Sequence, residues 1–402
     1  MKRLLLVSRC PPYPIHLGDR LIIWHLAREL ARRGYTIDLI AFAQRASDWD
    51  EIDAYRDYFQ QVTLLEEPTR TPLMYLRRAL LRHERYPQDA DQAWAGNLWQ
   101  AVARHLAAQS YDVVHVFGGV QVYEIVHLLA DVPALITPYE SFSLYLQRLL
   151  EQEGGVTHWV NYRMARHYES WLYDRYSDVV VLTEIDKAEL LRLNPALTVH
   201  VIPNGIDLDY FTGGQATDAR APATLLFIGN YEYPPNVDAA QFLAYEVMPI
   251  VREALPEARL QLVGNAPPPA LQTLNLKHIE VTGRVPDVRP YLAQATAFVA
   301  PLRVGAGIKN KVLEALAMHI PTVATPISVD GIDVTHDESV LVASPALFAG
   351  ATVRLLRDRL LQRKLARNGR AIIEATYSWE RVADQYEALY QQLDAQRASG
   401  DL

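Results

Sequence analysis

The densest chemistry in the sequence lies between residues 301 and 326, PLRVGAGIKNKVLEALAMHIPTVATP. An apolar run ends at Pro301, a loop carrying Gly305 and Gly307 follows, and a helix-period stretch opens near Lys309. Glycines let a backbone approach a ligand closely, and the free N–H groups and dipole of a helix N-terminus favour an anion. Lys311 is placed to add a cationic contact to a diphosphate. Glu314, three residues on, shares its helix face, where a carboxylate can accept hydrogen bonds from two vicinal sugar hydroxyls. The same residues read equally as an ordinary helix N-terminus with a solvated Lys–Glu pair.

Three other features invite a chemical reading. Segment 70–86, RTPLMYLRRALLRHERY, carries Arg70, Arg77, Arg78, Arg82 and Arg85, with Leu73, Leu76 and Leu80 at helical spacing. It suits peripheral contact with an anionic membrane, or a solvated basic helix face; the short apolar stripe favours the second. His115 sits in an apolar run before Phe117-Gly118-Gly119, and reads first as a satisfied core histidine and second as a cleft residue. Cys10 is the only cysteine, which excludes an internal disulfide or a multi-cysteine zinc site and reads as a reduced, half-buried thiol.

The elements that must position these residues alternate. Strands are predicted over 3–8, 36–42, 113–117, 134–137 and 178–182, with a helix over 21–33 capped by Gly34. A second series follows, with strands over 224–229, 259–264, 279–282, 297–300 and 322–324 and helices over about 236–254, 286–294 and 309–318. A helical tail covers 347–393. Alternating strands and helices imply parallel sheets covered on both faces, hence an α/β fold of two doubly wound halves. The turn Pro203-Asn204-Gly205-Ile206-Asp207 and the loose stretch 211–223 mark the boundary. The expected domains are 1–205, 206–378, and a closing helix 379–402 returning toward the first. Ligands in such sheets bind outside the carboxyl ends of the strands, here in a cleft between the halves.

Bulk properties narrow the class. The chain has 402 residues, a length that suits two domains, and its net charge of −8 divides evenly between the halves. No basic half exists, so a nucleic-acid partner is not expected. The opening MKRLLLVSRCPPYP has too short an apolar stretch for a signal peptide, and no window approaches the roughly 20 apolar residues of a membrane span. A cytoplasmic protein is expected, with peripheral contact at the inner membrane face left open.

The segments PPYPIHLGDRL, VIPNGIDLDYF, FIGNYEYPPNVDAAQFL, ARLQLVGNAPP, VTGRVPDVRPYLAQA and YSWERVADQYEALY, together with the 301–326 stretch, extend over nearly the whole chain. They resemble the retaining family-4 glycosyltransferases, whose GT-B fold has two Rossmann-like domains facing across a central cleft. PPYPIHLGDR and GIKNKVLEALAM are similar to a subgroup associated with exopolysaccharide systems. The resemblance implies that Gly305, Ala306, Gly307, Ile308, Lys309 and Lys311 hold a donor diphosphate and that Glu314 holds its ribose. Gly283, Arg284 and Val285 would flank the nucleobase, and Gly229 and Asn230 would border the donor. Gly18 would approach the phosphates from the first domain, with Asp19 and Arg20 facing the cleft; Asp19 reads equally as a helix N-cap.

The sequence also departs from the family. Ala306 stands where a Glu often contacts the transferred sugar, and Asn230 and Pro235 where an Arg and a Lys are usual. Lys311, Arg303, Arg284 and Lys309, or Arg20 from the first domain, are left to supply positive charge. Where a His or Asp often follows the fourth strand, this chain has Tyr139, Glu140 and Ser141. Glu140 reads as a group polarising an acceptor hydroxyl, or as a plain loop carboxylate. The implied activity moves a sugar from a nucleotide-diphosphate-sugar co-substrate to a glycan, lipid-linked or small-molecule hydroxyl. It would proceed with retention, without a metal and with no further cofactor, Lys311, Glu314 and Glu140 carrying the chemistry. An epimerase or phosphorylase on the same fold, and a non-catalytic nucleotide-sugar-binding subunit, are the rival readings. An NAD enzyme is disfavoured, because the first loop lacks G-x-G-x-x-G.

Overall fold

The computed structural model describes residues 2–15, 18–69, 71, 87, 89–213, 223–274, 277–305 and 308–399. Apart from Thr71, the basic segment 70–86 lies outside them, as do Ala306 and Gly307. The chain forms two compact units, one holding the chain up to Pro203 together with the chain from Trp379 onward, the other Asn204–Ser378.

The first unit is built on a parallel sheet of seven strands. These are β1 (Arg3–Ser8), β2 (Thr36–Ala43), β3 (Gln61–Glu66), β4 (Val113–Phe117), β5 (Ala134–Tyr139), β6 (Asp178–Val181) and β7 (Val199–Val201), in the order β3-β2-β1-β4-β5-β6-β7. The central strands are mostly apolar and buried along nearly their whole length because helices cover both faces. Leu5, Val7, Ile40, Val114, Val116 and Ile136 lie in one core cluster. The helix Gly18–Arg32 turns Ile22, Ile23, Leu26, Ala27 and Leu30 inward, and Gly34, at φ 85°, ends it. The last helix, Trp379–Ser399, completes this unit by burying Val382, Ala383, Tyr386, Tyr390 and Leu393. Trp379 stacks on His25 with centroids 4.6 Å apart, and Arg33 pairs with Glu387 at 2.9 Å.

The second unit has a parallel sheet of six strands. These are β8 (Thr224–Ile228), β9 (Arg259–Val263), β10 (Ile279–Gly283), β11 (Ala297–Ala300), β12 (Thr322–Ala324) and β13 (Leu341–Val342), in the order β10-β9-β8-β11-β12-β13. In both sheets the order reverses beside the first strand, the doubly wound arrangement expected from the alternating pattern. The structure adds β3, β7 and β13, all edge strands; β3 is half-exposed, and β7 and β13 are very short. None offers the long apolar run by which a central strand is recognised. The helix expected over 236–254 is Pro234–Phe242 and Met248–Ala254 joined by a π turn, Leu243–Val247. The tail divides into Pro345–Arg357, Arg359–Thr376 and Trp379–Ser399. A Cβ on Gly369 would lie 2.7 Å from Leu316 Cδ2, so this glycine lets helix Arg359–Thr376 approach helix Asn310–Ala317.

Candidate functional site

At the carboxyl edge of the second sheet the strands end in glycine. Gly264 has φ 150°, and a Cβ there would meet Gly229 O at 1.8 Å, so the ends of β8 and β9 can lie together only without a side chain. Gly283, at φ 72°, closes β10, and its carbonyl accepts from Gly264 N at 3.2 Å. After β11 the chain passes through exposed Arg303 to buried Gly305 at φ 140°. A Cβ on Gly305 would stand 3.7 Å from Lys309 Nζ and 3.6 Å from Tyr233 Oη. Lys309 is the N-cap residue of helix Asn310–Ala317, and Asn310 Oδ1 accepts from Asn204 Nδ2 at 2.8 Å.

Lys311 donates to Asn236 Oδ1 at 2.6 Å and lies 4.7 Å over the Phe227 ring. Asn236 donates in turn to Asn230 O at 2.7 Å, so one amide joins the loop after β8 to the lysine. Burial, with Lys309 adding, lowers the Lys311 ammonium to about 7, against the attraction of Glu314. Burial raises the Glu314 carboxyl to about 7, partly offset by Lys311. Burial thus favours the neutral form of each group, a balance that a nearby anion can tip. Beside them Arg289 Cζ lies 3.8 Å over the Tyr210 ring and the guanidinium pairs with Asp287 at 2.8 Å. Burial raises the Tyr210 phenol, with Asp287 and Glu314 contributing.

The other cations are placed differently from expectation. Arg303 pairs with Asp238, Nε to Oδ2 2.9 Å, and lies over Phe242. The loan of Arg20 to the phosphates does not hold: its side chain is buried and grips Asp48 through both oxygens at 2.8 and 3.0 Å. Burial would raise the Asp48 carboxyl, but hydrogen bonds from Arg20 and Arg45 outweigh it and hold it at about 2. A pair so well satisfied is costly to break. Arg284 is exposed and Val285 half-buried after Gly283. Ile308 is buried and Asn230 exposed.

In the first unit the carboxyl edge gathers Arg9, Asp19 and Tyr139. Asp19 lies inside the first turn of helix Gly18–Arg32, not at its N-cap, and accepts from Arg9 at 2.6 and 2.9 Å. The Arg9 guanidinium lies 5.5 Å over the ring of Tyr139, itself at φ 72°. Gly118, at φ 122°, makes room, since a Cβ there would meet Arg9 Cγ at 2.6 Å. Cys10 is buried against this pair; burial, with Asp19 adding, pushes its thiol up to about 12, so it stays protonated.

Glu140 is half-buried in the loop after β5. That loop is held by buried Glu169, which accepts from Phe142 N at 2.6 Å, Ser143 N at 3.2 Å, Ser141 Oγ at 3.1 Å and Ser143 Oγ. Burial pushes the Glu169 carboxyl up to about 7 against these bonds. His115 is a core residue: Nδ1 pairs with Tyr390 Oη and Nε2 with Thr137 Oγ1, both at 2.7 Å, and burial holds it neutral. Sequence reading missed Asn236, Tyr233, Tyr210 and Arg9. Asn236 and Tyr233 lie at the start of the first helix after β8, a position of signal value; Tyr210 and Arg9 carry none.

Two Rossmann-like units, each a doubly wound parallel sheet, define an α/β class. Residues 21–210 match the family described as Glycosyltransferase Family 4, and residues 222–358 that described as Glycosyl transferases group 1. The chain thus belongs with the GT4-like glycosyltransferases and has their GT-B fold. It is 20% identical to sucrose-phosphate synthase from Thermosynechococcus elongatus, covering 98% of this chain and 100% of that one at a TM-score of 0.75. Against Anabaena Alr3699/HepE, solved in complex with UDP-glucose, identity is 14% and TM-score 0.65, covering 96% and 99%. A GDP-mannose-dependent monoacylated alpha-(1-6)-phosphatidylinositol monomannoside mannosyltransferase from Corynebacterium glutamicum is 27% identical over 247 residues, 54% of this chain and 63% of that protein. The chain spans from 24% to 63% of the lengths of the curated relatives it matches.

Proposed function

We propose that the chain transfers a sugar from a nucleoside-diphosphate-sugar, held at the carboxyl edge of the second sheet, to an acceptor hydroxyl taken from the first unit. The observation that carries this is Lys311 fixed by Asn236 beside Glu314, behind the glycine ends of β8 to β10. In the reaction the acceptor oxygen bonds to the anomeric carbon, the bond from that carbon to the diphosphate breaks, and the nucleoside diphosphate leaves with the electron pair. The acceptor proton passes to the departing diphosphate on the same face, so configuration is retained. Lys311 and the N–H groups opening helix Asn310–Ala317 stabilise the charge gathering on the leaving group. Glu314 holds the ribose hydroxyls, the backbone at Gly283, Arg284 and Val285 meets the base, and Glu140 orients the acceptor. Exopolysaccharide, lipid-linked and small-molecule hydroxyls fit this reading alike.

Nucleoside diphosphates and their glucose and mannose conjugates are to be offered to wild type, Lys311→Ala and Glu314→Ala, with product analysis with and without acceptor. Transfer lowered at least a hundredfold in both variants is expected. Near wild-type turnover in both overturns the site, and a changed sugar nucleotide formed without acceptor makes the chain an epimerase.

A further inference from the structure

Helix Val156–Leu172 buries only Ala165, Glu169 and Leu172, so most of its surface faces outward. At about 100° per residue, Val156, Trp159, Val160, Arg163, Arg166 and His167 fall in an arc of about 120° on the opposite side. The stripe is apolar at one end and cationic at the other. Val156 is 78% exposed, Trp159 52% and Val160 41%, while Arg163 and His167 are exposed and Arg166 partly so. The guanidinium of Arg163 rests 5.5 Å over the Trp159 ring, and that of Arg166 5.4 Å over Tyr162. Arg163, Arg166, His167 and Ser170 line one recess with Leu193.

Among the described residues no carboxylate pairs with Arg163 or Arg166. The one acidic residue of the helix, Glu169, is on the buried face and bonded to Ser141 and Ser143. Neighbouring acids have their own partners: Glu153 pairs with His158 at 3.3 Å and Glu189 with Arg192 at 2.5 Å.

We propose that this stripe docks the chain on an anionic membrane surface. On a chain of net charge −8, two neighbouring arginines with no carboxylate partner among the described residues single out one face for negative charge. A soluble phosphate would use the two arginines and leave Val156, Trp159 and Val160 in water. An apolar protein partner would cover those three and desolvate two unpaired guanidiniums. A bilayer of anionic lipid meets both ends: its phosphates pair with the arginines, and its headgroup–acyl boundary takes the tryptophan and the valines. The surface lies wholly within the first unit and does not depend on the donor site.

The test is sedimentation of the intact protein with phosphatidylglycerol/phosphatidylcholine vesicles and with pure phosphatidylcholine vesicles, at about 50 and about 500 mM salt. Retention on the anionic vesicles at low salt, falling severalfold at high salt, is expected. Arg163→Glu/Arg166→Glu should lower it at least tenfold, Arg163→Gln/Arg166→Gln and Val156→Ser/Trp159→Ser severalfold, and Arg163→Lys/Arg166→Lys should retain most of it. Thermal unfolding of each variant checks folding, and the Gln pair serves if the Glu pair does not fold. Equal retention on neutral vesicles, unchanged retention of the Gln pair, or no low-salt binding by wild type overturns the proposal. So does release by inorganic phosphate but not by chloride of equal ionic strength, which would make the recess a soluble-phosphate site.

Discussion

Lys311 Nζ donates to Asn236 Oδ1 at 2.6 Å, so the lysine on the helix after β11 is aimed by a residue on the helix after β8. Asn236→Ala removes the guide and leaves the charge. A nucleoside diphosphate should then bind about tenfold more weakly, about 1.4 kcal/mol, in a calorimetric titration. Asn236→Asp keeps an acceptor for the ammonium but loses the donor to Asn230 O and sets a negative charge beside the diphosphate, so it should bind no better than the alanine variant. Equal affinity in all three proteins would show that the contact does not orient the lysine.

Proton linkage gives a second prediction. Lys311 is lowered to about 7, so the native state holds fewer protons than the unfolded chain from pH 7 to 10.5, and its contribution to stability rises with pH there. Glu314 is raised to about 7, so the native state holds more protons from pH 4.5 to 7, and its contribution falls with pH there. The two together depress stability most near neutrality. Melting temperature against pH for wild type minus Lys311→Met/Glu314→Gln should show a minimum near pH 7; a flat difference would refute the shifts.

A diphosphate beside Lys311 should draw a proton onto it. At about pH 8, binding should take up a substantial fraction of one proton per nucleotide, visible as binding enthalpies that differ between buffers of unlike ionisation heat. In Lys311→Met the buffer dependence should vanish.

His115→Phe removes the partner of buried Tyr390 Oη and Thr137 Oγ1. A loss of about 1–3 kcal/mol in denaturant unfolding is expected. Nucleotide affinity should stay within twofold of wild type, which separates a core histidine from one that touches substrate.

Much of the architecture was legible because parallel strands covered on both faces leave continuous apolar runs, as at 3–8 and 113–117. The edge strands β3, β7 and β13 were not, since half-exposed or two- to three-residue runs carry no such signature. At the site, Gly305, Lys311 and Glu314 announced themselves through glycine loop and helix spacing. Asn236 and Tyr233 come from a stretch some 75 residues earlier, and only the order of the sheet brings β8 beside β11. The role of Arg20 was misread because nothing near it in sequence reveals Asp48, 28 positions on, as its partner.

The excursion of the chain through Asn204–Ser378 before Trp379–Ser399 rejoins the first unit has a consequence for biogenesis. Ile206 N–H donates to Tyr377 O at 2.6 Å, so the points of departure and return lie side by side. During synthesis the first unit must wait, with His115 and His25 lacking Tyr390 and Trp379, until the ribosome has delivered the helix Trp379–Ser399. Nascent chains stalled or truncated before residue 379 should therefore be the natural clients of chaperones and proteases, whereas the core of Asn204–Ser378 is drawn from its own residues alone.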